Sequence, residues 1–265
     1  MPAHSRPLVV SEIVEETRAP HTRLLRVSLE VEHARTYWQR ADPSRPRERE
    51  VEIAFGEYWF GAKSMARVGA LTLAFSTRFD PFPHAIEALR LWTAAERSTR
   101  TTICHWHLQL TDPIYRAFTG TYLPERRASG RREISREPVV RWVGEFDREN
   151  RWSAATRVGF ASKLLSAASR AGLVEGTRDP RPLITPRVSP VALGYLLYLL
   201  RSVRFAGTLQ DNPYLRSIGL EGGLVDDTMR QVPGLTYRRI GDLIDVTWDH
   251  ENLVAWVRTV EATSP

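Results

Sequence analysis

The 265-residue sequence holds one cysteine, Cys104, and only two lysines, Lys63 and Lys163. A single thiol excludes an intramolecular disulfide framework and a cysteine-based zinc finger, and it fits a reducing cytoplasm. Long apolar runs are missing as well. The most apolar stretch, PVALGYLLYLL at 190–200, is about half the length of a bilayer span. It reads as a buried helix, and no membrane partner is expected. The opening MPAHSRPLVV carries no apolar signal region, so the expected location is cytoplasmic. Compact catalytic signatures are lacking too: there is no G-x-x-x-x-G-K loop, no H-E-x-x-H and no G-x-S-x-G. Neither an enzyme nor a cofactor is expected.

What is present is arginine. Lys and Arg number 37 against 31 Asp and Glu, giving a formal charge of +6 and a pI near 9.8. An excess of this sign suits an anionic partner, nucleic acid before a membrane surface. The guanidinium fork matches phosphates and guanine edges. With 42% hydrophobic residues the chain can bury a sizeable core.

The expected fold class is mainly α: a helical bundle with helix-turn-helix or winged-helix elements and a small C-terminal domain containing a β-hairpin. Three sections are expected, an N-terminal helical region (1–123), a basic helix-turn-helix or winged-helix region (124–189) and a C-terminal helical domain with the hairpin (190–265). In the first, residues 8–14 read as a short strand or extended arm and 22–39 as a helix. ADPSRPRERE at 41–50 reads as an exposed connection and 58–79 as a helix. Asp80 and Pro81 then offer a cap and a first-turn proline, and a helix covers 100–109. Asp112 and Pro113 repeat the device.

Residues 124–142 alternate Arg126, Arg127, Arg131, Arg132, Arg136 and Arg141 with three glutamates. The first part reads as an exposed loop turning at Gly130, and Ser135 reads as the cap of a short helix carrying Val139, Val140 and Val143. A second serine cap, Ser153, opens a helix at 154–171. Its expected apolar face is Ala154, Val158, Ala161, Leu164, Leu165 and Ala168. The opposite face is small, polar and basic: Thr156, Gly159, Lys163, Ser166 and Arg170. Arg157 falls toward the apolar side, so it must reach past the helix start or meet an acid. Gly172 suits the position just beyond the helix. Two extended pieces around a turn follow, a flap decorated by Arg178, Arg181 and Arg187.

A helix that enters the major groove needs one face buried in its own domain and the other small and polar. Flanking arginines then hold phosphates. On this pattern Thr156, Arg157, Lys163, Ser166 and Arg170 are the candidate helix contacts, with Arg131, Arg132, Arg178, Arg181 and Arg187 as flanks. In the last section Asn212 and Pro213 mark a turn, 224–230 a short helix, 235–248 a hairpin turning near Gly241 and Asp242, and 251–260 a closing helix. Cys104, His105 and His107 lack a second ligand cluster at zinc spacing and read as core residues. Asp226, Asp227, Asp242, Asp245, Asp249 and Glu251 read as turn and surface acids rather than a nuclease centre. Most tryptophans read as core, with Trp142 and Trp152 nearest the arginines.

From about residue 68 to 174 the chain resembles the BrxA-like family, small accessory proteins of BREX bacteriophage-exclusion systems. The likeness lies in the alanine-rich stretch Ala85 to Ala95, in TDPIYRAFTGTYL, and in Trp152, Thr156, Arg157, Leu164, Ala171, Gly172 and Leu173. It implies a mostly helical protein with a helix-turn-helix element, without enzymatic activity of its own. It also implies binding of double-stranded DNA in phage defence, beside a methyltransferase and an ATPase. The section beyond 190 departs from the family. The alternative expectation is a scaffold that joins subunits of a defence complex through the helix at 190–202 and the hairpin.

Overall fold

The computed structural model describes residues 13–147, 149, 152–241 and 243–263. The expected arm therefore lies largely outside the described residues, as does Asp242. The chain enters as a short strand, β1 (Val14–Glu15), followed by a single 3-10 turn, Arg23–Leu25. Helices α1 (Val31–Arg40), α2 (Arg47–Gly56), α3 (Met65–Phe79), α4 (Ala85–Leu91) and α5 (Arg97–Thr111) follow.

Four expectations in this section are corrected. The helix expected from residue 22 starts only at Val31, because residues 22–30 form a strap pinned from outside. The buried Arg78 guanidinium donates to the carbonyls of Val27 at 2.6 Å and Ser28 at 2.9 Å. Helix α2 occupies part of the expected connection, with Arg49 and Glu52 pairing across one turn at 2.8 Å. The helix expected from 58 begins at Met65, where Ser64 accepts the Arg67 N–H. Asp80 ends α3 instead of starting α4, since its carboxylate takes the Tyr37 hydroxyl at 2.9–3.0 Å. His84, at φ 65°, stands before α4.

Asp112 behaves as expected. Its Oδ1 accepts from Ile114 and Tyr115 and opens α6 (Pro113–Ala117). One π-helical turn, Phe118–Tyr122, joins α6 to α7 (Leu123–Ala128). Proline explains the widening. Pro124 has no N–H for the Gly120 carbonyl, and the Leu123 N–H reaches back five residues to Phe118. Strand β2 (Glu133–Ile134), α8 (Arg136–Gly144), α9 (Ala154–Arg170) and β3 (Arg181–Pro182) come next. The chain closes with α10 (Pro190–Leu200), β4 (Val203–Arg204), α11 (Pro213–Ser217), α12 (Gly223–Met229), the hairpin β5 (Leu235–Ile240) and β6 (Leu243–Trp248), and α13 (Leu253–Thr263). Asn212 does not mark a simple turn. Its side chain caps α11, accepting the Leu215 N–H at 3.0 Å.

The fold is mainly helical, with three two-stranded β pairs among the described residues and an antiparallel hairpin near the C-terminus. Strand β1 pairs in parallel with β4, joining segments 189 residues apart in the chain. One continuous core crosses both expected section boundaries. Helix α10 lies inside it, buried from Ala192 to Leu200, so the face expected to dock partner proteins is internal. Gly194 sits where the Trp256 ring crosses: a Cβ there would collide with the indole. Among the described residues no helix is long and apolar enough to cross a membrane.

Cys104, His105 and His107 lie in this core, and both histidine rings are fully engaged. His105 meets Tyr115 Oη at 2.8 Å and Ser217 Oγ at 2.9 Å. His107 donates from Nδ1 to the Arg78 carbonyl at 2.9 Å and accepts at Nε2 from the Tyr195 hydroxyl at 2.8 Å. Burial lowers His105 to about 3 and His107 to about 4, and pushes the Cys104 thiol up to about 12. The stability contributed by these neutral rings is fully present above the unfolded value, about 6.5. It is lost as pH falls from there toward the folded values, because the unfolded chain binds the extra protons. Asp80 acts oppositely: burial raises it to about 6, so its unfavourable contribution fades as pH falls. Both ring signals are expected to stay those of neutral imidazole down to about pH 5 in the folded protein, which nitrogen-detected NMR measures directly. Protonation of either ring near pH 6 would contradict the burial.

Candidate nucleic-acid interface

Three short segments form a small sheet beside α8 and α9. β2 pairs antiparallel with β3, and Val174 bridges Leu183 on the other side. The Leu183 N–H donates to Arg132 O at 2.8 Å, Ile184 to Leu173 O at 3.1 Å and Glu175 to Pro182 O at 2.9 Å. The segment 181–184 is thus central, flanked by 132–134 and 173–175. Arg127 clamps it from α7, donating to Ile184 O at 2.7 Å and Leu173 O at 3.4 Å. Arg126 donates to Glu133 O at 2.9 Å and lies over the Tyr122 ring. These two arginines therefore brace the fold, and the expected loop at 126–128 is helical because they hold it.

Ser135 stands at the start of α8, yet its side chain makes no capping bond. Asp179 supplies it from the flap, accepting the Arg136 N–H at 2.7 Å. The same carboxylate holds the Arg181 guanidinium at 2.9 Å. Arg181 is consequently committed to its own loop, while Arg178 at the tip, Arg187, Arg131 and Arg132 are exposed.

Helix α9 begins and ends as expected, with Ser153 accepting the Thr156 N–H at 3.1 Å and Gly172 at φ 75°. Its buried side is Phe160, Ala161, Leu164, Leu165, Ala167 and Ala168. Ala154 is exposed, and so is Val158, at 40%, which corrects their assignment to the apolar face. Arg157 meets an acid, the buried Asp147, at 2.8 Å.

The expected polar face is divided by the strap. Leu25 packs 3.6 Å from where a Cβ of Gly159 would stand. Arg170 binds Glu30 at 2.8 Å and the Leu29 carbonyl at 3.2 Å. Lys163, one turn beyond Gly159 on the same stripe, is half-buried, as are Thr156 and Ser166. The open stripe begins at the exposed Ala155 and Val158 and continues over the half-buried Ser162, Ser166 and Ser169, all small and uncharged. Ser162 returns its hydroxyl to the Val158 carbonyl at 2.9 Å, and Ser169 to that of Gly176 at 3.2 Å. Ala155, Val158 and Ser162 were not among the expected contacts. No local signal marks them, because what closes the neighbouring stripe is a segment more than 100 residues upstream.

Trp142 packs against Tyr122 at 5.0 Å and Phe146 at 4.8 Å, and Trp152 against Phe160 at 5.8 Å. Asp226 is engaged by the Tyr237 hydroxyl and by Arg239, and Asp227 by Arg230. Charge is unevenly distributed. Residues 124–189 carry 14 Lys and Arg against 8 Asp and Glu, an excess equal to that of the whole chain. In comparison with known proteins, no family model matches the chain and no curated protein matches it.

Proposed function

We propose that residues 113–184 form a winged helix-turn-helix unit and that the protein is a non-catalytic, duplex-DNA-binding accessory protein of a bacterial anti-phage defence system. One observation carries the reading. The elements run helix, strand, helix, helix, strand, strand, and the first strand lies beside the third. That order leaves one side of the last helix, α9, for the major groove and a flap for the adjacent backbone. The open stripe of α9 suits close approach, since Ala155 and Ser162 are small and Val158 offers a methyl contact to thymine. Arg131, Arg132 and Arg178 supply phosphate contacts. The place in phage defence, beside a methyltransferase and an ATPase, rests on the resemblance to the BrxA-like family.

Duplex binding of this kind falls with salt, because each neutralised phosphate releases counterions. Reversal of Arg131, Arg132 and Arg178 to glutamate is expected to lower the slope of log K against log salt by about 3. Fluorescence anisotropy with a labelled random duplex, read at several salt concentrations, measures it. An unchanged slope in the folded variant sinks the assignment of these flanks.

The adaptor reading retains one supporting observation. Ile240 and Leu243, cross-strand partners at the hairpin tip, remain 78% and 71% exposed, and exposed apolar residues of this size suit a protein partner. Absence of duplex binding at low salt, in folded protein, favours that reading.

A further inference from the structure

The C-terminal hairpin has an open edge. Asp249 donates its N–H to Gly234 O at 3.2 Å. Opposed residues of antiparallel strands alternate between hydrogen-bonded and non-hydrogen-bonded pairs. Counting from that bond, the register places the bonded pairs at Thr236–Thr247, Arg238–Asp245 and Ile240–Leu243. In the pairs between them, the N–H and C=O groups of Ile244, Val246 and Trp248 therefore point away from β5. No backbone group among the described residues meets them. The β5 side differs, since α12 lies against it, with Asp226 taking the Tyr237 hydroxyl and the Arg239 guanidinium. Native edge strands are commonly blunted by lysine, proline or a bulge. Residues 243–248 contain neither lysine nor proline, and the pairing of β6 with β5 is unbroken along its length. An edge of this kind can take a further strand.

The side chains of β6 narrow the choice of occupant. Ile244, Val246 and Trp248 are half-buried on the core side, and Leu243, Asp245 and Thr247 are exposed on the other. An added strand must continue both faces. We propose that the occupant is β6 of a second copy of this chain, running antiparallel about a twofold axis at Val246 and joining two hairpins into one four-stranded sheet. Val246 then meets its own counterpart, Ile244 of one copy lies beside Trp248 of the other, and Asp245 lies beside Thr247. Residues with free backbone groups face only one another, as the bonding pattern requires, and the core side continues apolar against apolar. Moving the axis to Asp245 would set two aspartates opposite each other, which is destabilising. The strand is thus complementary to itself in backbone, apolar pattern and charge. The contact is small, so a weak dimer in rapid exchange is expected. Its formation does not depend on duplex binding.

Sedimentation velocity of the full chain, free of nucleic acid and run from low to high micromolar concentration, tests the proposal. A monomer–dimer equilibrium is expected. Val246→Pro removes the N–H at the axis. Within one chain that N–H bonds to no backbone group, and proline is accommodated on an edge strand where its nitrogen faces outward. Both copies lose a hydrogen bond, so the dimer is expected to weaken at least about tenfold. Should that variant fail to fold, Thr247→Arg, at an exposed position, serves instead. It sets a guanidinium opposite Asp245 of the other copy, twice per dimer, and is expected to tighten association about threefold. A chain that stays monomeric throughout overturns the proposal. A dimer that folded Val246→Pro leaves as tight as the parent, or that Thr247→Arg does not tighten, overturns it too, because the copies then meet through another surface.

Discussion

Alanine at position 120 is expected to lower the unfolding free energy by about 3 kcal/mol, the upper end of what overpacking costs. Gly120 lies in the π-helical turn, where the backbone approaches α11 without a side chain between. An added Cβ would stand 2.5 Å from the Pro213 Cβ, 2.6 Å from its carbonyl oxygen and 2.9 Å from its Cα. Two of those atoms are backbone and cannot rotate away, so α6–α7 and α11 must move apart. The strain would reach Gln109, whose amide spans the same junction to Thr119 at 2.9 Å and Pro213 O at 3.4 Å. Gly56→Ala is the matched control. Nothing lies within 4 Å of its Cβ position, and such a change shifts stability by less than about 1 kcal/mol, in the favourable direction where the conformation is helical. Urea denaturation of both variants measures the difference. Equal stability of parent and Gly120→Ala would mean that the two elements do not approach this closely.

The second large effect is expected on binding. Val158→Glu with Ser162→Glu places two carboxylates on the open stripe of α9, the side proposed to face the groove. Like charges brought together at an interface cost several kcal/mol, so duplex affinity is expected to fall by roughly 100-fold or more, about 3 kcal/mol. The fold should hold: Val158 is exposed, Ser162 is half-buried and neither belongs to the buried side of the helix, glutamate is a better helix former than valine or serine, and the like-charge pair at i,i+4 costs only about 0.2–0.5 kcal/mol. Circular dichroism should be unchanged. Unaltered affinity would remove this stripe from the interface. Reversal of Lys163 and Arg170 is a poorer probe, since glutamate at 170 would face Glu30 and disturb the strap as well as any bound duplex.

Much of the helical fold was legible where a helix end is written locally. Ser153 caps α9 by accepting the N–H of Thr156, three residues on; Asp112 followed by Pro113 opens α6; Gly172 follows α9. Each device needs only neighbours in the chain. Several of the failures share one cause, a partner far away in sequence. Asp80 and Pro81 have the form of a helix start, but Tyr37 draws the carboxylate elsewhere. Ser135 has the form of a cap, but Asp179 takes the donor from 43 residues on. Periodicity gave α9 an apolar side, yet Val158 is exposed while Phe160 and Ala167 are buried. Which stripe beside that core is open depends on Leu25 and Glu30.

The pairing of β1 with β4 bears on the order in which a newly made chain acquires its shape. Val14 donates to Ser202 O, and Arg204 reaches back to Glu15 across 189 residues. At about 5–20 residues per second on the ribosome, the first strand waits roughly 10–40 s before its partner exists. Residues 113–184 are made before that partner and have their own strands to pair. During that interval the leading arm is anchored only by groups nearer in the chain, such as Arg78 and His21. Nascent protein therefore passes through a stage in which β1 is still unpaired, and cleavage by added protease between residues 15 and 22 marks that stage until residue 204 emerges.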